Sequence, residues 1–185
     1  MAPAFRWNLP PDTVRLHFRF LTSGDVDFFY DLDRRPEVMR YLGIPPLSSK
    51  DKAEETLHQL LLRYAADGIG RLVVCFQSNQ KPIGLAGFRK NTEPFGPYDD
   101  FLDFGFRFLP EAWGKGLATE ACLAFMQELP YFKKPVYAMT DVRHLASERV
   151  LTKVGFRNVD RFVVWGDLTN WWQPERVGMA FEKSK

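Results

Sequence analysis

Hydrophobic and polar residues alternate from Val14 to Leu21. Val14, Leu16, Phe18 and Phe20 fall on one side and Arg15, His17 and Arg19 on the other, as in a half-buried strand. The period then changes. Thr22-Ser23-Gly24-Asp25 has the spacing of a capping box, and Val26, Phe29 and Leu32 form a helical stripe broken before Pro36. A short second helical piece runs from Glu37 to Leu42. After Pro45-Pro46, Ser48 with Asp51 offers another box. Ala53, Leu57, Leu60, Leu61 and Tyr64 then recur at helical spacing as far as Gly68, which predicts a long amphipathic helix.

Three strands are predicted next: Arg71 to Phe76, Pro82 to Phe88 and Leu102 to Leu109. The first two form a hairpin across Ser78-Asn79-Gln80. A Pro-Gly-acidic stretch from Asn91 to Asp100 reads as an exposed loop. Gly114 to Leu129 reads as a helix, Val136 to Val142 as a strand, and Leu145 to Val154 as a helix stopped by Gly155. Strands around Arg161 to Trp165 and Val177 to Phe181 complete the prediction. No internal repeat or low-complexity segment interrupts this order, which implies one mixed α/β layer.

With 185 residues, 45% of them hydrophobic and 26% charged, the chain is expected to form one compact globular domain over 1–185. A net charge of +2 lacks the basic excess of a protein whose main partner is nucleic acid, yet leaves a phosphate-bearing small ligand open. No apolar run has the length of a membrane span and the N-terminus has no signal-like apolar core, so a cytoplasmic protein is expected, without a membrane partner. Cys75 and Cys122 sit in apolar surroundings without metal-ligand spacing, and are expected to be reduced core thiols.

The stretch most suited to chemistry is Leu102 to Ala121, LDFGFRFLPEAWGKGLATEA. An alternating strand ends at Pro110, and a glycine-rich turn leads directly into a helix. Gly114 and Gly116 let the backbone turn tightly and approach a ligand, and the first amides of a helix, unpartnered within it, suit an anion. A purely structural turn would need such glycines too. A Walker loop is excluded because no Ser or Thr follows a Gly-Lys pair, and a dinucleotide fingerprint because Thr119 stands where its third glycine belongs.

PEAWGKGLATEA resembles motif A of the GNAT-type N-acetyltransferases, in detail the RimJ/RimL-like, ribosomal-protein-alanine acetyltransferase branch. PEVMRYLG (Pro36 to Gly43), PIGLAGF (Pro82 to Phe88), Asp103 to Ala121 and SERVLTKVGF (Ser147 to Phe156) occur in family order and span most of the chain. The resemblance implies an α/β (α+β) GNAT fold: a mixed, mostly antiparallel sheet of about seven strands flanked by about four helices. It also implies acetyl-CoA as acetyl donor, with no metal, bound by Trp113, Gly114, Lys115, Gly116, Leu117, Ala118 and Thr119. Trp113 departs from the family's Gln or Arg, and His144 stands where an Asn commonly contacts pantetheine.

The implied reaction is direct attack of a primary amine on the thioester in a ternary complex. A protein or peptide N-terminal α-amino group is about 10% neutral at pH 7 and a lysine about 0.04%, so the former needs only a weak base. It is the expected acceptor. Acetylation of a polyamine or aminoglycoside, or non-catalytic CoA binding, are the alternatives, and the chain is expected as a monomer or homodimer. Asp103 occupies the position where relatives carry an acidic residue, but on alternation alone it also reads as a cross-strand ion-pair partner. An outward N–H at Phe108-Leu109 would serve the oxyanion. Ser147 matches the serine used near the sulfur, or else caps its helix.

Lys115, Arg149 and Lys153 are candidates for the outer phosphates, although Arg149 and Lys153 at i,i+4 equally describe a solvated face. Glu111 and Glu120 read as surface charges or first-turn dipole partners, and His17 and His58 as surface histidines. Thr92 to Asp100, with Glu93, Asp99 and Asp100, and Asn170-Trp171-Trp172-Gln173 are the expected borders of the acceptor cleft, packing being the simpler use of the tryptophans.

Overall fold

The computed structural model describes residues 9–175. Seven strands form one sheet in the order β1-β2-β3-β4-β5-β7-β6: β1 (Leu16–Arg19), β2 (Leu72–Phe76), β3 (Pro82–Asn91), β4 (Phe101–Phe108), β5 (Val136–Asp141), β6 (Phe156–Val164) and β7 (Asp167–Pro174). All neighbours are antiparallel except β4 and β5. Five helices accompany the sheet: α1 (Val26–Asp33), α2 (Pro36–Met39), α3 (Lys50–Asp67), α4 (Leu117–Met126) and α5 (Leu145–Lys153). This is the mixed, mostly antiparallel architecture expected. No helix of the described residues is long and apolar enough to cross a membrane.

Alternation along the strands supplies both faces with apolar residues. Phe29 of α1 and Leu57 and Tyr64 of α3 bury against Val73, Cys75 and Leu85 on one face. On the other, Leu117, Cys122 and Phe125 of α4 and Leu151 of α5 bury against Val74, Phe88 and Phe104. Both cysteines are buried and unpaired. Asp25 accepts from the Thr22 N–H and hydroxyl at 2.9 Å and from the Arg19 guanidinium at 2.6 and 2.9 Å, so the first predicted capping box is present. The second moves by one residue: Ser49, not Ser48, caps α3 and accepts from the Lys52 N–H at 3.1 Å.

The final described strand is Asp167–Pro174, while the strand predicted around Val177 to Phe181 lies outside the described residues. The loop expected from Asn91 to Asp100 starts at Thr92, because Asn91 ends β3; it is mostly exposed, as expected, and is held by its aromatic side chains. Phe95 lies 5.3 Å from Trp165 between ring centroids, and Tyr98 stacks on Trp171 at 4.7 Å. Trp171 is fully buried among these rings because Asn170-Trp171-Trp172-Gln173 belongs to β7.

Candidate active site

The ladder between β4 and β5 comprises Leu102↔Val136 and Asp103↔Tyr137. Beyond these pairs the sheet opens between the C-terminal ends of two parallel strands, the place where open α/β sheets bind ligands. The turn after β4 stands on one side of this opening and the Asp141–Ser147 turn after β5 on the other.

Register decides which backbone groups face the opening. The Leu109 N–H donates to Ile83 O at 2.9 Å, within an antiparallel ladder where Gly84 opposes Phe108. The peptide groups of such a ladder alternate in direction, so the Phe108 N–H points away from β3 toward the gap. Of the two amides expected there, Phe108 is therefore available and Leu109 is not.

A 3-10 turn, Pro110–Ala112, carries the chain into residues 113–116 and then α4. Gly114 and Gly116 have φ of +71° and +74°, values that a side chain makes costly. A Cβ on Gly114 would meet nothing within 4 Å, and one on Gly116 only the Arg15 guanidinium at 3.7 Å. Backbone path, rather than crowding by protein, is thus what requires glycine, and the space above the turn is open.

The first bond of α4 runs from the Glu120 N–H to Gly116 O at 3.0 Å, so the amides of Leu117, Ala118 and Thr119 precede the helical ladder. Gly116 at the cap position brings no side chain to them. These three donors and the dipole's positive end face a site into which an anion fits.

The side chains of the turn brace it. The Trp113 indole N–H donates to Phe108 O at 2.8 Å and ties the turn to the end of β4, while Lys115 Nζ reaches back to Glu111 O at 2.7 Å. Arg15, just before β1, donates to Lys115 O at 3.0 Å and holds Glu120 through Nε at 2.6 Å. Lys153 is exposed and borders the same shallow concavity as Gly116, Thr119 and Glu120, and Arg149 is exposed on α5. His17 pairs with Asp12 at 2.9 Å, and His58 is exposed on α3.

Across the opening, α5 begins after His144, whose carbonyl accepts from the Ser147 and Glu148 amides at 3.0 and 3.2 Å. Ser147 is therefore a buried residue of the first turn and not the cap. This separates the two roles open to it, because capping is done by the main chain of His144. The His144 ring is half-buried under Tyr41, centroids 4.5 Å apart. Burial lowers its pKa from the ordinary 6.5 and outweighs the opposing charges of Asp141 and Glu148, which favours neutral imidazole. Tyr41 comes from the segment after α2, and Gly43 beside it approaches Trp165, so this segment links the N-terminal helices to the β6–β7 turn.

Asp103 stands elsewhere. Its Oδ2 accepts from Arg71 at 2.8 Å and Arg89 at 2.7 Å, and its side chain is only 5% exposed. Burial alone would raise its pKa, but the two guanidiniums outweigh that and hold it below the ordinary carboxylate value. Arg89 is its direct partner across the β3–β4 ladder, so the ion-pair reading describes its contacts. A carboxylate so stabilised is a poor proton acceptor. Nor do the tryptophans of β7 border an open cleft: Trp171 and Trp172 are buried, and Asn170 accepts from Arg161 at 2.6 Å and donates to Glu148 at 2.5 Å. Arg15 and Tyr41 carry no local chemical signature, and only the fold brings them to the site.

The sequence profile of the acetyltransferase (GNAT) domain matches residues 15–157. The chain is 27% identical over 110 residues to the uncharacterized N-acetyltransferase p20 of Bacillus licheniformis, a match spanning 59% of either chain. It is 24% identical over 150 residues to the uncharacterized N-acetyltransferase YoaA of Bacillus subtilis, covering 79% of this chain and 81% of that one. Its fold is shared with spermidine N-acetyltransferase of Vibrio cholerae, solved with CoA and spermine, at TM-score 0.65 and 19% identity over 86% and 95% of the two chains. It is also shared with ribosomal-protein-S5-alanine acetyltransferase of Vibrio fischeri, at TM-score 0.69 and 17% identity over 90% and 97%. With the profile covering most of its length, the chain belongs to the GNAT acetyltransferase family.

Proposed function

We propose that this protein transfers an acetyl group from acetyl-CoA to a primary amine, most readily the α-amino group of a protein or peptide N-terminus, as in the RimJ/RimL-like branch. The observation that carries the reading is the start of α4. Three main-chain amides and two open, positive-φ glycines stand at the mouth of the β4–β5 gap. That arrangement fits the diphosphate of the donor, and the gap leads from it past the Phe108 amide, a donor preset for the oxyanion.

In the proposed reaction the amine lone pair forms the new C–N bond, the C–S bond breaks, and the electron pair leaves on sulfur. Ser147, in the first turn of α5 without a capping duty, donates a hydrogen bond to the departing thiolate and keeps its own proton; the proton the amine gives up balances the charge that leaves on sulfur. With Asp103 engaged by two arginines, neutral His144 is the group suited to take the ammonium proton. An α-amino group asks only for such a weak base.

The test is release of CoA thiol from acetyl-CoA with a panel of alanine- and serine-initiated peptides, spermidine and an aminoglycoside. Turnover greatest on the peptides supports the proposal. Faster turnover on spermidine or the aminoglycoside would move the acceptor to small amines, and coenzyme binding without release on any acceptor would leave only a binding module.

A further inference from the structure

Glu120 poses an electrostatic problem. Its carboxylate lies one turn into α4, at the same helix end as the amides offered to a diphosphate. Left alone, it would oppose a second anion there. The chain answers from about a hundred positions away. Thr13 Oγ1 and the Arg15 N–H donate to Oε1 at 2.5 and 3.2 Å, while Arg15 Nε and Nη2 approach Oε2 at 2.6 and 2.5 Å. The remaining guanidinium nitrogen, Nη1, donates to the carbonyl of Lys115, between the two glycines.

We infer that Arg15 is a positioning residue of the coenzyme site: it cancels the Glu120 charge beside the phosphate-binding amides and fixes the turn that presents them. The inference rests on the acetyl-CoA reading above. Arg15 suits both tasks because its planar fork binds a carboxylate along one edge while another nitrogen reaches the carbonyl, which a lysine ammonium cannot do from one position. The Arg15 side chain is 48% exposed, so the ion pair adds little to folding stability and its effect belongs in ligand affinity. The same bonds keep the Glu120 carboxyl below its ordinary pKa against the opposing effect of burial, so it is charged, and needs cancelling, at neutral pH.

The experiment measures CoA affinity by calorimetry and the kinetics of acetyl-CoA for the full chain and the variants Arg15→Ala, Arg15→Gln, Glu120→Gln and Arg15→Ala/Glu120→Gln. Arg15→Ala and Arg15→Gln are expected to weaken CoA binding about tenfold, the size of one lost charge-assisted contact, with KM for acetyl-CoA rising and kcat nearly unchanged. Glu120→Gln should tighten binding, and in the double variant it should restore most of the loss. Unchanged affinity in both Arg15 variants, or a double variant as weak as Arg15→Ala alone, overturns the inference while the acetyltransferase reading stands. A native chain without affinity for CoA overturns both.

Discussion

The starts of α3 and α4 solve the same problem in opposite ways. Both helices open with amides that have no partner inside the helix. At α3, Ser49 turns its hydroxyl onto the Lys52 N–H, and the chain satisfies itself. At α4, Gly116 provides no side chain, and the amides of Leu117, Ala118 and Thr119, which precede the helical ladder, are the donors proposed for the diphosphate. The same contrast runs along β4. Its Asp103 is gripped by two arginines, while its last residue, Phe108, turns an amide into the gap. Where the protein is built to hold shape, donors and acceptors are matched within the chain. At the proposed coenzyme site, donors are set out in advance and held there.

The largest expected effect lies on the self-satisfied side. Asp103→Asn removes the carboxylate that Arg71 and Arg89 share and is expected to destabilise the fold by about 3–5 kcal/mol in denaturant unfolding. A loss of turnover by the remaining folded protein, without loss of stability, would reinstate Asp103 as the base. The native ion pair also predicts a pH dependence. The folded pKa of Asp103 is below its ordinary 3.8, so its contribution is complete above that value and disappears as pH falls through the lower, folded one. The Asn variant should lack that part of the acid-stability slope.

On the open side, Gly116→Glu should weaken CoA binding about 100-fold or more, because it sets a carboxylate in the place proposed for the diphosphate. Strain at φ +74° adds about 1–2 kcal/mol of destabilisation, small enough for circular dichroism to show a folded chain. Unchanged affinity by calorimetry would remove the ligand from α4. Ser147→Ala sharpens the comparison: kcat is expected to fall about tenfold with CoA affinity intact, since the proposed work of the hydroxyl is at the sulfur and it does not cap. A fall in melting temperature with normal turnover would make it structural. Ser49→Ala is expected to do least, costing about 1 kcal/mol of stability with no change in kcat or KM.

Much of this contrast was legible in the sequence, and what was hidden follows a physical rule. Strands β1 and β5 follow from alternation because each has faces of different character, β2 and β3 from short continuous apolar runs bounded by turn residues, and α3 and α4 from helical stripes. β7 was hidden because its buried run, Thr169 to Trp172, mixes polar and aromatic residues and so matches neither an alternating nor a continuous apolar pattern. The glycine turn was readable, since positive φ leaves a compositional trace. The availability of Phe108 but not Leu109 was not, because it depends on the parity of pairing with β3. Likewise alternation made Asp103 a cross-strand ion-pair candidate but could not name Arg71 or Arg89 as its partners. Arg15 and Tyr41 reach the site across a hundred or more residues of sequence, and no local pattern records such a meeting.

The donors at the start of α4 have a consequence for how the protein can change. They are peptide groups, so no substitution at Leu117, Ala118 or Thr119 short of proline deletes one. Only rerouting the chain does so, and the route is set by two glycines and by braces from Trp113 and Arg15. Redesign of this protein for other acceptors therefore has wide latitude in the side chains around the amine, provided these few fastenings of the backbone are left alone.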